Sequence, residues 1–147
     1  MRFSKGFSLI ELLTVVAIVG ILASVGIVSY NSYVWSSKKT SAKNIMQQIS
    51  LAQTEYISNE GAYFISTASG SCDTTITATH STEINDDLLF SDTIIPSKLA
   101  FNMCIMDTSG DTPYISDYTI IAISPTKECK LEMRSNGQWE NDVGDDC

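Results

Sequence analysis

The chain has 147 residues, with 17 acidic and 9 basic side chains and a formal net charge of −8. One domain is the default for this length, and so acidic a chain is a poor bulk ligand for nucleic acid, whose phosphates require lysine and arginine. The mean hydropathy of +0.06 is high for a soluble protein, and one apolar run near the N-terminus accounts for it.

This apolar run extends from Leu12 to Ser37 without a charged residue. As an α-helix it is about 39 Å long, which exceeds the roughly 30 Å hydrocarbon core of a bilayer. It is too long for the core of an ordinary signal peptide, and no A-x-A-like cleavage site ends it. Just before the run lies Glu11, a carboxylate that hydrocarbon tolerates only when it is paired or protonated. A plain membrane anchor explains the length of the run but not Glu11.

The residues around Glu11 resemble a known processing site. The stretch KGFSLIE, which begins at Lys5, is similar to the cleavage site of type IV prepilins and pseudopilins. The resemblance implies that residues 1–6 are a leader peptide, which prepilin peptidase removes by cutting between Gly6 and Phe7. It also implies N-methylation of the new amino terminus at Phe7.

The fold that this resemblance implies is the α+β type IV pilin fold. A long N-terminal α-helix anchors the chain in the membrane through its first half, and its second half packs on an antiparallel sheet of three or four strands. A disulfide-closed loop, residues 129–147, completes the globular head, which comprises residues 61–147.

The acid at position 11 has a partner in this scheme. A newly exposed α-amino group is a cation at neutral pH because its ordinary pKa is about 8. Glu11 of one helix can therefore pair with the Phe7 ammonium of a neighbouring subunit and fix the axial register of assembly, a use of buried ion pairs that concerns specificity more than stability. The alternative is a glutamate that only reaches the lipid headgroups.

The orientation in the membrane is ambiguous by charge alone. Arg2 and Lys5 favour a cytoplasmic N-terminus, but three lysines follow the apolar run: Lys38, Lys39 and Lys43. Four cysteines, an even number in a small polar region, indicate two disulfides and an oxidising compartment. We therefore expect a single-pass inner-membrane protein with a cytoplasmic N-terminus and a periplasmic head, which becomes extracellular in the filament.

The predicted helix has two parts. Residues 7–37 form the transmembrane and filament-core part, and residues 38–60 form an amphipathic part that ends before Gly61. The apolar positions of the amphipathic part follow one helical stripe that is expected to pack on the sheet: Ala42, Ile45, Met46, Ile49, Ala52 and Tyr56. Pilins often have a proline where this chain has Val28, so no proline kink is expected.

The head begins with a long segment, residues 61–98, rich in Ser, Thr and Asp and without clear periodicity. We interpret it as a surface loop pinned by Cys72, with a short helix or strand at most, and its lone histidine, His80, as a solvated loop residue. Within residues 99–135 three runs of β-formers predict a meander; they are 99–106, 117–124 and 129–135. In the third run, Leu131 and Met133 are predicted to point inward.

The cysteine pairing follows from the resemblance rather than from the residues. Type IV pilins have a disulfide-bounded C-terminal region, which implies a Cys129–Cys147 bridge and, with it, Cys72–Cys104; four cysteines allow three pairings. Trp139, inside that loop, either covers the sheet or is an exposed contact. Asp142, Asp145 and Asp146 lack the spacing of a calcium-binding loop, so we expect a solvated acidic loop and neither a metal nor a cofactor.

The sequence has no nucleophile–base pair and no phosphate-binding loop, so an enzyme is not expected. The resemblance implies a structural subunit of a bacterial type IV pilus, most similar to a minor pilin of the PilE type, in a fibre that supports pilus biogenesis, adhesion, twitching motility or DNA uptake. Its partners would be other pilin subunits, prepilin peptidase, the inner-membrane assembly platform and inner-membrane lipid. The alternatives are a pseudopilin of a type II secretion system and a DNA-binding minor pilin of competence.

Overall fold

The computed structural model describes residues 6–66, 72, 78–91, 94–96, 98–108, 116–140, 142–144 and 147. The leader apart from Gly6, as well as Asp145 and Asp146, lie outside the described residues. Internal contacts divide the chain into two units, one that ends at Ser37 and one that begins at Lys38. We call them the stem unit and the folded unit.

The longest element is the helix α1, Leu9–Glu60, which is uninterrupted over its length. It ends at Gly61, which has a φ of +78° and donates its N–H to the Ile57 carbonyl over 2.9 Å. A glycine in this left-handed conformation is the usual C-terminal stop of a helix, because other residues pay a steric penalty there. The predicted long helix is confirmed.

In the folded unit, α1 buries the predicted stripe. Ala42, Ile45, Met46 and Ile49 are buried, and Ala52 and Tyr56 are half-buried at the far end of the same face. The stripe supplies one wall of the core, because its spacing keeps these side chains on one side of the helix.

A three-stranded antiparallel sheet supplies the facing wall. Its strands are β1 (Asn102–Asp107), β2 (Tyr118–Ile123) and β3 (Lys130–Arg134), in the order β1-β2-β3. This is the predicted meander, with strand ends shifted by one to three residues from the expected ones. The central strand β2 is buried through its first five residues, and Leu131 and Met133 of β3 point into the core as predicted. The Ser50 hydroxyl of α1 lies 3.1 Å from the Tyr118 hydroxyl of β2.

The C-terminal segment runs antiparallel beside β3. Lys130 donates its N–H to the Val143 carbonyl over 2.9 Å, and Val143 donates back to Lys130 over 3.0 Å. Met133 makes a second bridge, to Trp139. Gly144 is needed at this approach, because it has a φ of +117° and a Cβ there would lie 1.9 Å from the Glu128 carbonyl oxygen. The tail therefore covers the β3 side of the sheet.

The opposite edge of the sheet is closed by two serine hydroxyls. The Ser81 hydroxyl accepts the Met103 N–H over 2.9 Å, and the Ser66 hydroxyl accepts the Ile105 N–H over 2.7 Å. Each hydroxyl also donates to the carbonyl of the same β1 residue. The outward backbone groups of these two β1 residues are thus satisfied without another strand.

Ser81 belongs to a short helix, α2 (Ala78–Glu83), which a single π-helical turn, Ile84–Leu88, follows. The interpretation of His80 as a solvated loop residue is wrong, because His80 is half-buried within α2. Its Nδ1 atom is buried and has no hydrogen-bond partner among the described residues. The segment is helical because Ser81, Ile84 and Leu88 anchor it in the core.

Candidate assembly site

A hydrogen bond at the start of the helix fixes the position of the Glu11 side chain. Ser8 precedes the first helical residue, and its carbonyl accepts the N–H of Leu12 over 3.3 Å. The Glu11 carboxylate reaches back one turn and accepts the Ser8 N–H through Oε2 over 2.9 Å. This is the glutamate half of the capping box that the pattern S-x-x-E predicts at a helix N-terminus. The signal for this contact is present in the sequence, in the four residues from Ser8 to Glu11.

The cap leaves the carboxylate able to bind something else. An ionised carboxylate has two oxygens and about four acceptor sites, and the contact with Ser8 uses one of them. Glu11 is exposed, and a negative charge in the first turn is also favourable with the helix dipole. The side chain is therefore held in a defined position while it remains open to a cation from another chain.

The stem unit has no internal cover for its apolar side chains. Phe7 is 87% exposed, and large aliphatic residues are exposed all around the helix. An apolar window of α1, with a mean hydropathy of 2.6 and no buried residue, is long and apolar enough to cross a membrane by length and composition. Water is a poor surrounding for such a surface, so its cover must come from lipid or from other helices.

Three hydroxyl side chains of the stem unit form hydrogen bonds with the backbone of their own helix. The hydroxyls of Thr14 and Ser24 donate to the carbonyls of Ile10 and Ile21, each over 2.7 Å, and Ser29 donates to the carbonyl of Val25. Such local bonds let serine and threonine enter an apolar medium without an unpaired hydroxyl donor.

In the folded unit, two lysines one turn apart fasten the C-terminal segment to α1. Lys39 donates to the Cys147 carbonyl, and Lys43 pairs with Asp142 over 3.0 Å. The Lys43 Nζ atom also lies 5.3 Å from the ring centroid of Trp139, which is 36% exposed. Trp139 therefore pairs with β3 through its backbone, and its side chain lies at the surface, as the exposed-contact alternative expects.

Both disulfides join the sheet to segments outside it. Cys72 is bonded to Cys104 of β1, with the Cα atoms 6.3 Å apart. Cys129 is bonded to Cys147, with a Cα separation of 4.8 Å, and so closes the C-terminal loop. The disulfide-closed loop of the predicted fold is confirmed, and the observed pairs are those that the resemblance implies.

The basic side chains of the sheet are already paired. Lys130 forms an ion pair with Glu132, and the Nε atom of Arg134 lies 2.5 Å from Glu140. Lys130 and Arg134 are therefore neutralised by neighbouring carboxylates, which makes them poor ligands for the phosphates of DNA. Among the residues that the structure describes, no cluster of three His, Cys, Asp or Glu side chains could hold a metal ion.

Comparison with known proteins gives results for part of the chain. A family model described as the prokaryotic N-terminal methylation motif matches residues 1–27. The fimbrial protein EcpC of Eikenella corrodens is 40% identical over 62 residues, which are 42% of this chain and 40% of that protein. The type IV major pilin protein PilE1 of Neisseria gonorrhoeae is 42% identical over 59 residues, 40% of this chain and 36% of the relative.

A third relative extends the comparison to another lineage. The type IV major pilin protein PilA of Myxococcus xanthus is 38% identical over 60 residues, 41% of this chain and 27% of the relative. The matched stretches thus cover no more than 40% of the length of these three relatives. No solved structure matches the chain.

Proposed function

We propose that this chain, a member of the type IV pilin family, is a structural subunit of a type IV pilus that enters the filament through its stem unit. The observation that carries the proposal is the exposed apolar helix with one capped acid, Glu11, directly behind a Gly6–Phe7 cleavage motif. A surface of this kind suits lipid before assembly and a bundle of like helices afterwards, because both surroundings are apolar.

In this proposal the subunit waits in the inner membrane with its head in the periplasm. Prepilin peptidase removes residues 1–6 and methylates Phe7, and the assembly platform then moves the subunit into the filament. Glu11 pairs with the amino group of Phe7 of a neighbouring subunit and sets the register. The carboxylate and the ammonium group would each be costly alone in an apolar bundle, and they then form an ion pair.

The cleavage step is tested by replacing the glycine. Gly6→Val should leave a full-length precursor that stays in the membrane, since the peptidase would have to accept a branched side chain where this site has none. An immunoblot and mass spectrometry of the membrane fraction measure the product. A variant that is shortened after residue 6 like the wild type would contradict the assigned cleavage site.

The register step is tested by two substitutions of one residue. Glu11→Ala should be processed and inserted in the membrane but should not enter fibres, because it removes both the charge and the cap. Glu11→Gln keeps an oxygen that can accept the Ser8 N–H and removes only the charge. We expect it to fail as well, by at least about tenfold in sheared fibres, since only an ionised partner pairs with an ammonium. Normal incorporation of Glu11→Gln would mean that capping, not charge pairing, is the role of Glu11.

The finer proposal is a minor subunit of the PilE type. The four cysteines and the CKLEMRSNGQW layout support it, whereas the names of two relatives contain the word major and concern a matched stretch of about 60 residues. The ratio of this chain to other pilins in sheared fibres decides between the two. A subunit that forms most of the fibre mass would be a major pilin.

A further inference from the structure

A single phenylalanine on the folded unit is presented to solvent in an unfavourable backbone conformation. Phe90 has a φ of +47° and is, among the described residues, the one non-glycine with a positive φ. Its side chain is 81% exposed. A bulky residue in this region is strained, and such strain persists where the surrounding structure imposes it.

The chain on both sides of Phe90 is held by hydrogen bonds. Leu89 donates its N–H to the Ile84 carbonyl over 3.0 Å, and Ser91 donates to the Asn85 carbonyl over 2.9 Å. The Asn85 side chain is buried and makes two bonds of 3.0 Å with the backbone of Ile95. The exposure of Phe90 is therefore built into the fold rather than the result of a loose loop.

Phe90 stands at one side of a groove of about 190 Å³. One wall is the C-terminal end of α1, including Ala52 and Tyr56, and the other is the segment from Leu88 to Phe90. The groove offers an apolar recess next to a fixed aromatic side chain. This arrangement is typical of a contact between proteins, because buried aromatic anchors contribute most of the binding energy there.

The surroundings of the groove are acidic. Glu55 and Glu60 line it, and Asp86 and Asp87 are exposed on the turn that leads to Phe90. None of these four carboxylates pairs with a described cation. The last turn of α1 has no basic residue, so the charges there oppose the helix dipole, which favours cations at this end.

The opposite charge lies at the other end of the same helical segment. Lys38, the first residue of the folded unit, is exposed on α1. It lies 22 residues before Glu60, or about 33 Å along the axis. That distance is several Debye lengths at physiological salt, so one copy cannot neutralise its own acidic end with Lys38.

We propose that the groove around Phe90 receives the Lys38 region of a second copy of this chain, an inference that rests on the proposed function. The two surfaces differ and lie at opposite ends of one helical segment, so the contact is head-to-tail. A head-to-tail contact that does not close into a ring generates an open helical polymer. The charges select the partner, and Phe90 supplies the apolar anchor.

The test is a charge exchange in the bacterium that makes the protein, with the fraction of subunit in sheared fibres as the readout. We expect Glu60→Lys and Lys38→Glu each to lower that fraction by about tenfold, because like charges then face each other across the contact. The double variant restores one opposite-charge pair, whereas Glu55, Asp86 and Asp87 still face the new carboxylate at position 38, so it should recover part of the lost incorporation. Glu128→Lys makes the same change in net charge as Glu60→Lys, at an exposed site outside the groove, and should assemble normally.

The aromatic anchor is tested separately. Phe90→Asn should lower incorporation by about fivefold, a loss typical of a residue central to a contact. Asparagine tolerates a positive φ, so the fold should be kept and the thermal unfolding midpoint should not fall. The matched control is Leu51→Asn, since Leu51 is 73% exposed on α1 but does not line the groove.

Several results would overturn the inference. Normal assembly of both charge variants, equal damage by Glu128→Lys, or single variants that the double variant does not rescue would each show that Lys38 of a second copy is not the partner. Normal assembly of Phe90→Asn would show that Phe90 is not an anchor of the contact. If the unmodified chain never enters fibres, the proposed function itself fails, which is a different outcome.

Discussion

The two halves of α1 follow the same helical geometry but meet opposite surroundings. In the stem unit, apolar side chains cover the whole circumference, and large ones such as Leu9, Val16 and Leu22 are exposed. In the folded unit, most apolar side chains of α1 lie on one stripe, where Ala42, Met46 and Ile49 are fully buried. A helix that is apolar all round is built for burial by something outside itself, whereas an amphipathic one is built for a core of its own chain.

From this comparison we expect burial, rather than residue type, to determine how much a substitution in α1 lowers the free energy of unfolding. The sharpest test replaces one apolar residue in each half. Met46→Ala should destabilise the folded unit by about 3 kcal/mol, because it leaves a cavity in a packed core. Val16→Ala, at a position 65% exposed in the stem unit, should leave that free energy unchanged. Denaturant unfolding of the full chain in detergent micelles measures the free energy of unfolding of both variants. Equal decreases in the two variants would contradict the distinction between the halves of α1.

A second test concerns a polar residue on the buried side. Gln53 is fully buried on α1, where it donates to the Phe64 carbonyl over 2.7 Å and accepts the Phe64 N–H over 2.9 Å. Gln53→Leu leaves both backbone groups unpaired and should cost about 2 kcal/mol. Gln47→Leu, at an exposed position of the same helix, should change the free energy of unfolding by less than about 0.5 kcal/mol. A neutral Gln53→Leu would mean that water replaces the lost partner.

The smallest expected effect is a pH dependence in the core. Burial raises the pKa of Tyr118 above its ordinary value of 10.0, although the hydrogen bond with Ser50 opposes the shift. The unfolded chain therefore releases this proton first, so its stabilising effect is complete below about pH 10 and is lost as the pH rises towards the folded-state pKa. Tyr118→Phe should flatten the decline in stability above pH 10, as measured by unfolding at pH 9 and pH 11, about one unit on either side of the tyrosine pKa. If the decline in stability is the same in Tyr118→Phe, other titrating groups cause it.

Much of the fold could be predicted from periodicity and turn chemistry. The stripe from Ala42 to Tyr56, the stop at Gly61 and the alternation in β3 each repeat a local rule that the structure keeps. The cysteine pairing required the family resemblance, since four cysteines alone leave three arrangements open.

The remaining features depend on contacts between distant residues. A glutamine such as Gln53 is expected at the surface. It is buried because the turn after Gly61 brings the backbone of Phe64 within hydrogen-bonding distance. The segment from Ala78 to Leu88 has no clear period, and its helical turns form because they anchor on the sheet. Ser8 is the exception, because its capping box is readable from four adjacent residues.

The sheet edge closed by Ser66 and Ser81 has a consequence under the proposed function, in which many copies of the chain lie close together. Crowded copies with an open strand edge would add to one another by backbone pairing, the route to amyloid-like aggregates. Here two hydroxyls occupy the donor and acceptor groups of Met103 and Ile105, and the tail occupies the far side. In the proposed filament, two small side chains would thus protect the subunit from joining a second kind of fibre.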